Sequence, residues 1–197
     1  MTDHPLQAAL LDLAMRPLQR QRARVIAQAV GTVVEIGLGT GLNLPLYQGV
    51  DRVLAVEPDG AMRARAAARV SAAPFPVDLR DAGGEALPFD DAVADTVVIT
   101  WVLCTAPDPA AVLAEAWRVL KPGGRLLFAE HVRSPTRAVA ALQDLVNPGW
   151  RCLAAGCNLN RDTLATLAAS PFRDLHLHPP RDAAWSPAPS WRGDAAR

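Results

Sequence analysis

The chain has 197 residues, half of them hydrophobic and a fifth charged, and its 20 basic and 20 acidic side chains cancel. This length and composition fit one globular domain with room for a substantial core, and exclude a disordered chain. A formal net charge of zero removes any general attraction to nucleic acid or to an anionic lipid surface.

The first element places Leu6, Leu10, Leu13 and Leu18 at helical spacing interrupted by Pro17, which reads as a core-facing or lid helix. A second helix is expected over about 19–29, stopping at Gly31. Alternating elements follow: strand 32–36, a short helix from about Asn43, strand 52–56, helix 60–71, strand 75–80, strand 94–100, helix 109–120 and strand 124–130. Continuous apolar strands in such alternation predict a doubly wound α/β fold with a mostly parallel sheet covered on both faces. Beyond His131 a helical stretch over 136–155 is expected to break at Asn147-Pro148-Gly149. A further helix over 162–169, with Asn160 as its N-cap, leads to a strand over 172–178. A proline-rich connection (179–189) and a short last strand near 190–195 complete seven strands. The single domain thus divides into an N-terminal helical lid (1–30), a cofactor-binding core (31–131), and substrate-side helices forming a second lid before the final hairpin (132–197).

Basic residues gather at Arg16 to Arg24 and at Arg63 to Arg69, each set reading as the solvent face of a helix. Cysteines 104, 152 and 157 are odd in number and lack metal-ligand spacing, so neither a disulfide framework nor a metal centre is expected. Met1 to Pro5 carries Asp3 and no basic stretch, and no apolar run approaches the roughly 20 residues that span a bilayer. A cytoplasmic protein is the expectation. Peripheral membrane contact stays open, as do monomeric and homodimeric states.

The most informative segment is Val33 to Asn43, where a β-branched run and Glu35 precede Gly37, Gly39 and Gly41. A turn without side chains at the mouth of a buried strand lets a ligand lie on the backbone. Twenty positions after Gly37 a second apolar run ends in Glu57, an acid placed to accept hydrogen bonds from ribose hydroxyls. A dinucleotide fingerprint places its third glycine where Leu42 stands, which disfavours a nicotinamide dehydrogenase. The G-x-G-x-G spacing suits an adenosyl cofactor without a pyrophosphate.

Three more segments complete a pattern: Glu85-Ala86-Leu87-Pro88-Phe89, the Thr96 to Cys104 stretch, and Ala116 to Leu127 with its Lys-Pro-Gly-Gly turn. In this order the four segments resemble class I S-adenosylmethionine-dependent methyltransferases, the branch that includes quinone-biosynthesis C-methyltransferases. The resemblance implies S-adenosyl-L-methionine as cofactor, with S-adenosyl-L-homocysteine as product. It implies that Glu35 meets the methionine amino group and that Gly37, Gly39, Gly41 and Asn43 form the platform beneath methionine and ribose. Glu57 resembles the ribose acid and Pro58 a neighbour of the adenine edge. Gly84 and Glu85 resemble the adenine-side loop, while Thr100 and Trp101 line the methyl-transfer cleft. Inserted glycines depart from the commoner loop pattern and put Asp81 in doubt as an adenine partner.

A narrower resemblance rests on Glu130-His131-Val132, on Leu142 to Trp150, and on Gly156-Cys157-Asn158-Leu159-Asn160-Arg161. These segments are similar to those of the alkyl thiol S-methyltransferase group, implying a small apolar acceptor, best a thiol. His131 is the candidate base or substrate contact, Asp144 a second catalytic candidate, and Asn147, Trp150 and Asn158 the candidate acceptor lining. Trp150 reads first as packing, with an aromatic wall for the acceptor as its second reading, and Cys157 reads as buried structure. N- or C-methylation of a lipid head group or quinone is the alternative, and a non-catalytic cofactor-binding protein a further one. Nucleic-acid methylation is disfavoured because Thr100-Trp101-Val102-Leu103 stands where an Asn/Asp-Pro-Pro-aromatic motif belongs.

Overall fold

The computed structural model describes residues 5–180, 183 and 185–197. The absence of a leader, read from Met1 to Pro5, falls mostly outside them, as does part of the proline-rich connection. Seven strands form one sheet: β1 (Gly31–Ile36), β2 (Val50–Val56), β3 (Val77–Arg80), β4 (Ala94–Thr100), β5 (Leu120–His131), β6 (Arg173–His178) and β7 (Ser190–Ala196). Their spatial order is β3-β2-β1-β4-β5-β7-β6. The sheet is mixed, which corrects the expected mostly parallel one. The pairings from β3 to β5 are parallel, while β7 runs antiparallel to both β5 and β6. A chain that returns through a hairpin must reverse one strand, and β7 is that strand.

Helices α1 (Pro5–Met15), α2 (Gln19–Ile26), α3 (Gly60–Ser71), α4 (Pro109–Val119), α5 (Arg137–Leu153) and α6 (Thr163–Ala168) surround the sheet. Successive strand residues feed opposite faces. Val34, Val97 and Leu126 join α4 in one buried cluster, and Val33, Val98 and Leu127 join α2 and α3 in the other. Carboxylate caps fix several helix starts: Asp59 accepts the Met62 N–H, and Asp108 those of Ala110 and Ala111. For α6 the cap is Asp162, which accepts the Ala165 N–H, and not the expected Asn160.

Three local expectations are corrected. Leu6, Leu10 and Leu13 are 81%, 67% and 61% exposed, so the leucine face of α1 points away from the core. What α1 buries is Ala8 and Asp12. Thr40 Oγ1 and Arg69 Nη1 donate to Asp12 at 2.6 and 2.9 Å, and Arg16 at 3.2 Å. Burial opposes ionisation of Asp12, yet these donors hold its pKa down at about 2. A charged anchor therefore sets the roll of the helix. Secondly, α5 runs through Pro148 to Leu153. An interior proline costs about 3 kcal/mol, and Asn147 Oδ1 accepting the Leu159 N–H at 2.9 Å pins this turn to the next loop. Thirdly, β5 begins at Leu120, absorbing Lys-Pro-Gly-Gly as an irregularity opposite Ala94 to Thr96. Among the described residues no helix is long and apolar enough to cross a membrane.

Candidate active site

The parallel strands end together, and the turn after β1 opens there. Gly37, Gly39 and Gly41 have φ of +73°, +59° and +80°, a region costing other residues about 1–2 kcal/mol. A Cβ on Gly37 would lie 2.4 Å from Val102 Cγ2, and one on Gly41 within 3.5 Å of Leu44, Ala66 and Arg69. A Cβ on Gly39 would meet nothing within 4 Å. Internal packing thus accounts for Gly37 and positive φ for Gly41, while Gly39 forms a bare ledge beside open space. Glu57, at the end of β2, accepts the Gly39 N–H at 2.8 Å on one oxygen and the Asp59 N–H at 2.9 Å on the other. Each oxygen keeps a second lone pair for a ligand hydroxyl. Burial raises the pKa of Glu57 against these two amide bonds.

Beneath the ledge lies a buried polar network. Glu35 accepts from Asn43 Nδ2 and from the Tyr47 hydroxyl, each at 2.8 Å. Asn43 Nδ2 also donates to Thr100 Oγ1 at 3.0 Å, and Arg22 Nη1 donates to Asn43 Oδ1 at 2.7 Å. The Arg22 guanidinium lies 4.5 Å from the ring centroid of Trp101. Burial lifts Glu35 to a pKa of about 7 against the Tyr47 and Asn43 hydrogen bonds, and lowers Arg22 to about 10. Arg22 is only 7% exposed, which removes it from the expected solvent face of the Arg16 to Arg24 cluster. Trp101 itself adopts φ +56° directly after β4, and its Nε1 donates to Ser190 Oγ at 3.1 Å.

Pro58, expected beside an adenine edge, is exposed next to Glu57. A Cβ on Gly84 would fall 2.6 Å from Ile36 Cγ2 and 3.2 Å from Val112 Cγ2, so close packing between β1 and α4 requires that glycine. Among the described residues Glu85 accepts the Asp108 N–H, at 3.5 Å, and Asp81 pairs with Arg63 at 2.7 Å on the surface. Arg118 fixes the intervening loop, donating to the carbonyls of Leu87 and Phe89 and to Asp91 and Glu115.

Where β4 and β5 end, the wholly buried Glu130 accepts the N–H groups of Val102, Leu103 and Cys104 at 2.7, 3.0 and 3.1 Å. Burial lifts its pKa to about 7, against these amide bonds. The loop after α5 is tied to the same turn. Asn158 donates its backbone N–H and Nδ2 to the Cys104 carbonyl, both at 2.9 Å, and Arg161 Nη1 donates to the carbonyls of Leu103 and Ala106. Cys104 and Cys157 meet with sulfurs 3.4 Å apart, and His131 Nδ1 lies 3.5 Å from Cys157 Sγ. Hydrogen bonding to Cys157 and burial hold the Cys104 thiol well above its usual pKa. Cys157 is drawn down to about 5, first by Cys104 and then by His131.

The expected residues therefore separate. The three glycines, Glu35, Asn43, Glu57, Thr100 and Trp101 form the ledge, its support and its wall, and His131 lies beyond Trp101, ring centroids 6.3 Å apart. Asp144 lies at the surface, bound by Arg133 at 2.7 Å on each oxygen and by Asn160 at 2.8 Å, which lowers its pKa to about 2. The side chains of Asn147 and Asn158 are occupied in backbone contacts, and Trp150 packs against the α2–α3 cluster. Arg22, Tyr47, Cys104 and Glu130 escape sequence reasoning. Arg22 and Tyr47 carried one available signal, a polar residue on the inward face of its segment.

Residues 34–128 match the methyltransferase domain family. The chain is similar to thiol S-methyltransferase TMT1B of Rattus norvegicus, 33% identical over 162 residues, covering 80% of this chain and 64% of that protein. It is also similar to phosphatidylethanolamine N-methyltransferase of Cereibacter sphaeroides, 35% identical over 129 residues, covering 64% of this chain and 63% of that one. The chain thus spans somewhat under two thirds of these two relatives. A geranyl diphosphate methyltransferase solved in complex with S-adenosylmethionine superposes with a TM-score of 0.76 at 15% identity, over 99% of this chain and 91% of the other. At that identity the likeness establishes the Rossmann-like methyltransferase fold.

Proposed function

Residues 34–128 belong to the methyltransferase domain family, and from that premise we propose that the chain is an S-adenosylmethionine-dependent methyltransferase whose acceptor is a small apolar thiol. The observation that carries the cofactor half is the free ledge at Gly39, joined through its N–H to the Glu57 carboxylate. The acceptor half is supported by similarity to a thiol S-methyltransferase over 80% of the chain.

When bound, S-adenosyl-L-methionine supplies a methyl group on a sulfonium and departs as S-adenosyl-L-homocysteine. The chain's part is alignment and exclusion of water. The 37–41 backbone seats the methionine and ribose, Glu57 takes the ribose diol, and Pro58, Gly84 and Glu85 border the adenine. Glu35 and Asn43, with Arg22 and Tyr47, hold the ledge and Thr100 in register. Trp101 walls the transfer cleft, and His131 and Trp150 face the acceptor. Asp144, Asn147 and Asn158 act as positioning residues, locking α5 and the 156–161 loop over that end. In this reading α1, α2, α5 and α6 supply the lids. A reducing, cytoplasmic setting suits three unbridged cysteines.

Methylation of a lipid head group amine is the second reading, favoured by the similarity to a phosphatidylethanolamine N-methyltransferase. The deciding experiment incubates the protein with labelled S-adenosylmethionine and separate pools of thiols, amines, phenols, quinols and lipids, with products read by mass spectrometry. Transfer to alkyl or aryl thiols is expected. Transfer confined to amines, quinols or lipids would overturn the thiol assignment.

A further inference from the structure

Three side chains far apart in sequence converge at the C-terminal ends of β4 and β5. Cys104 Sγ and Cys157 Sγ lie 3.4 Å apart, Cys157 Sγ and His131 Nδ1 3.5 Å, and one donor atom from each residue lies within 4.8 Å of the others. A tetrahedral zinc ion with bonds of about 2.3 Å to sulfur and 2.0 Å to nitrogen separates two sulfurs by about 3.8 Å, and sulfur from nitrogen by about 3.5 Å. The two spacings made by Cys157 are within a few tenths of an ångström of that geometry, and the third, from Cys104 to His131, is no more than 4.8 Å, so a side-chain rotation would bring the imidazole to the metal. We propose that Cys104, His131 and Cys157 form a zinc site with three protein ligands and a fourth position open to the methyl acceptor.

The surroundings suit a built site. Each ligand's backbone is held before any metal arrives. The Cys104 N–H is bound by Glu130 and its carbonyl by Asn158, while the His131 carbonyl accepts from Thr163 Oγ1 at 3.2 Å. The Cys157 N–H donates to the Ala154 carbonyl at 3.0 Å. Such outer contacts orient ligands and sharpen affinity. Two of the three ligands are buried in an apolar cluster containing Trp101, Leu127 and Ala129, whereas His131 is half-buried, so access comes from the imidazole side beside Trp101. Two thiolates and one neutral imidazole leave a zinc ion without net charge, and three protein ligands with one open position form the pattern of catalytic zinc sites.

The site stands on geometry alone, but its use in catalysis rests on the thiol reading above. An acceptor thiol entering the fourth position binds as thiolate and releases its proton to solvent, because metal coordination deprotonates a thiol at neutral pH. A sulfur lone pair then forms the new S–CH3 bond as the methyl's bond to the sulfonium breaks. The electron pair of that bond stays on the departing sulfur, which becomes a neutral thioether. The methylated product, itself a weakly binding thioether, leaves the metal. No oxidant or reductant is involved.

The test is metal content of the purified protein, followed by cobalt(II) titration of the zinc-stripped protein and variants. One zinc per chain is expected, with a thiolate-to-cobalt charge-transfer band that Cys152→Ala, at an exposed cysteine, leaves intact. Cys157→Ser and Cys104→Ser should each abolish the band and weaken zinc binding by about 100-fold or more, while thermal unfolding and S-adenosylmethionine affinity report an intact fold. A band that persists in both serine variants, a wild-type protein that takes up no cobalt, or a Cys104–Cys157 disulfide after purification under reductant would each overturn the site. Thiol methylation by metal-free protein at the undiminished rate would overturn its catalytic use alone. A zinc-loaded protein that binds no S-adenosylmethionine would instead sink the methyltransferase reading and leave the metal site standing.

Discussion

The proposed cofactor end of the cleft draws its ledge and its acid from one continuous stretch, from Glu35 through the turn glycines to Glu57. The end we propose for the acceptor is assembled from Cys104, His131 and Cys157, in three segments that meet because β4 and β5 are neighbours in the sheet. At the first end each residue's purpose follows from its place beside the next. At the second, purpose emerges only after the chain has folded. Within the first end a further contrast separates the groups proposed to meet the ligand, Gly39 and Glu57, from groups that support them, Arg22 and Glu35. Variants can test both contrasts.

The largest expected effect falls on Arg22. Replacing it with alanine strips donors from Asn43 and Thr100 and leaves a void beneath Trp101. Breaking a buried charged network in this way should cost about 3 kcal/mol of unfolding free energy in urea melts. Arg24→Ala, at an exposed position of the same helix, should stay within about 0.5 kcal/mol. Equal effects for the two would restore the solvent-face reading of the whole basic cluster.

Glu35 gives the next effect, as a dependence on pH. Burial lifts its pKa to about 7, against hydrogen bonds from Tyr47 and Asn43 and the charge of Arg22, and with the charge of Glu57. The folded chain thus holds this proton more tightly than the unfolded chain, whose carboxyl titrates near the ordinary value of 4.5. The stabilisation is complete below the unfolded pKa and is lost as pH rises through the folded one. Between about pH 4.5 and pH 8 the loss should amount to roughly 2–4 kcal/mol. Glu35→Gln should flatten this slope relative to wild type in melts across that range. An unchanged slope would mean that Glu35 is ionised at little cost.

Glu57→Ala should weaken S-adenosylmethionine binding by about 2 kcal/mol, read by calorimetry, through loss of charge-assisted hydrogen bonds to the ribose. Gly39→Ala divides the two roles of the turn. Its φ costs about 1 kcal/mol of folding stability, and no protein atom obstructs the new methyl group. Loss of cofactor affinity beyond that stability change would place the ligand on the ledge. Unchanged affinity would remove it from there.

These outcomes bear on what the sequence could disclose. The glycine turn, Glu57 and the alternation of strands and helices were legible because backbone conformation and burial impose local patterns. The roll of α1 was not, since its leucines at helical spacing suggested a buried face while a single aspartate, met by Thr40 and Arg69 from other elements, turned that face outward. The run through Pro148 was hidden for a similar reason, with Leu159 anchoring the turn that a local rule would end. Glu130 reads in the sequence as one letter of a motif, whereas in the fold three amides from the neighbouring strand's exit meet on its carboxylate. Cys104 and Cys157 lacked ligand spacing in the chain because sheet order, not sequence separation, brings them together.

The smallest effect belongs to Asp144, and its smallness is the informative result. Sequence reasoning placed it among the catalytic candidates, yet Arg133 holds both of its oxygens and Asn160 one of them, on an exposed face of α5. A carboxylate whose pKa those partners lower to about 2 is a poor proton acceptor near neutral pH. Asp144→Asn keeps the shape and loosens only a surface ion pair, so turnover with a thiol acceptor should remain within about twofold of wild type. The variant should change the acceptor's KM more than kcat, because the pair steadies α5 against the 156–161 loop. A large fall in kcat with KM unchanged would move Asp144 from positioning to chemistry and break the contrast between the two ends, since an acid on α5 would then take part directly in the transfer.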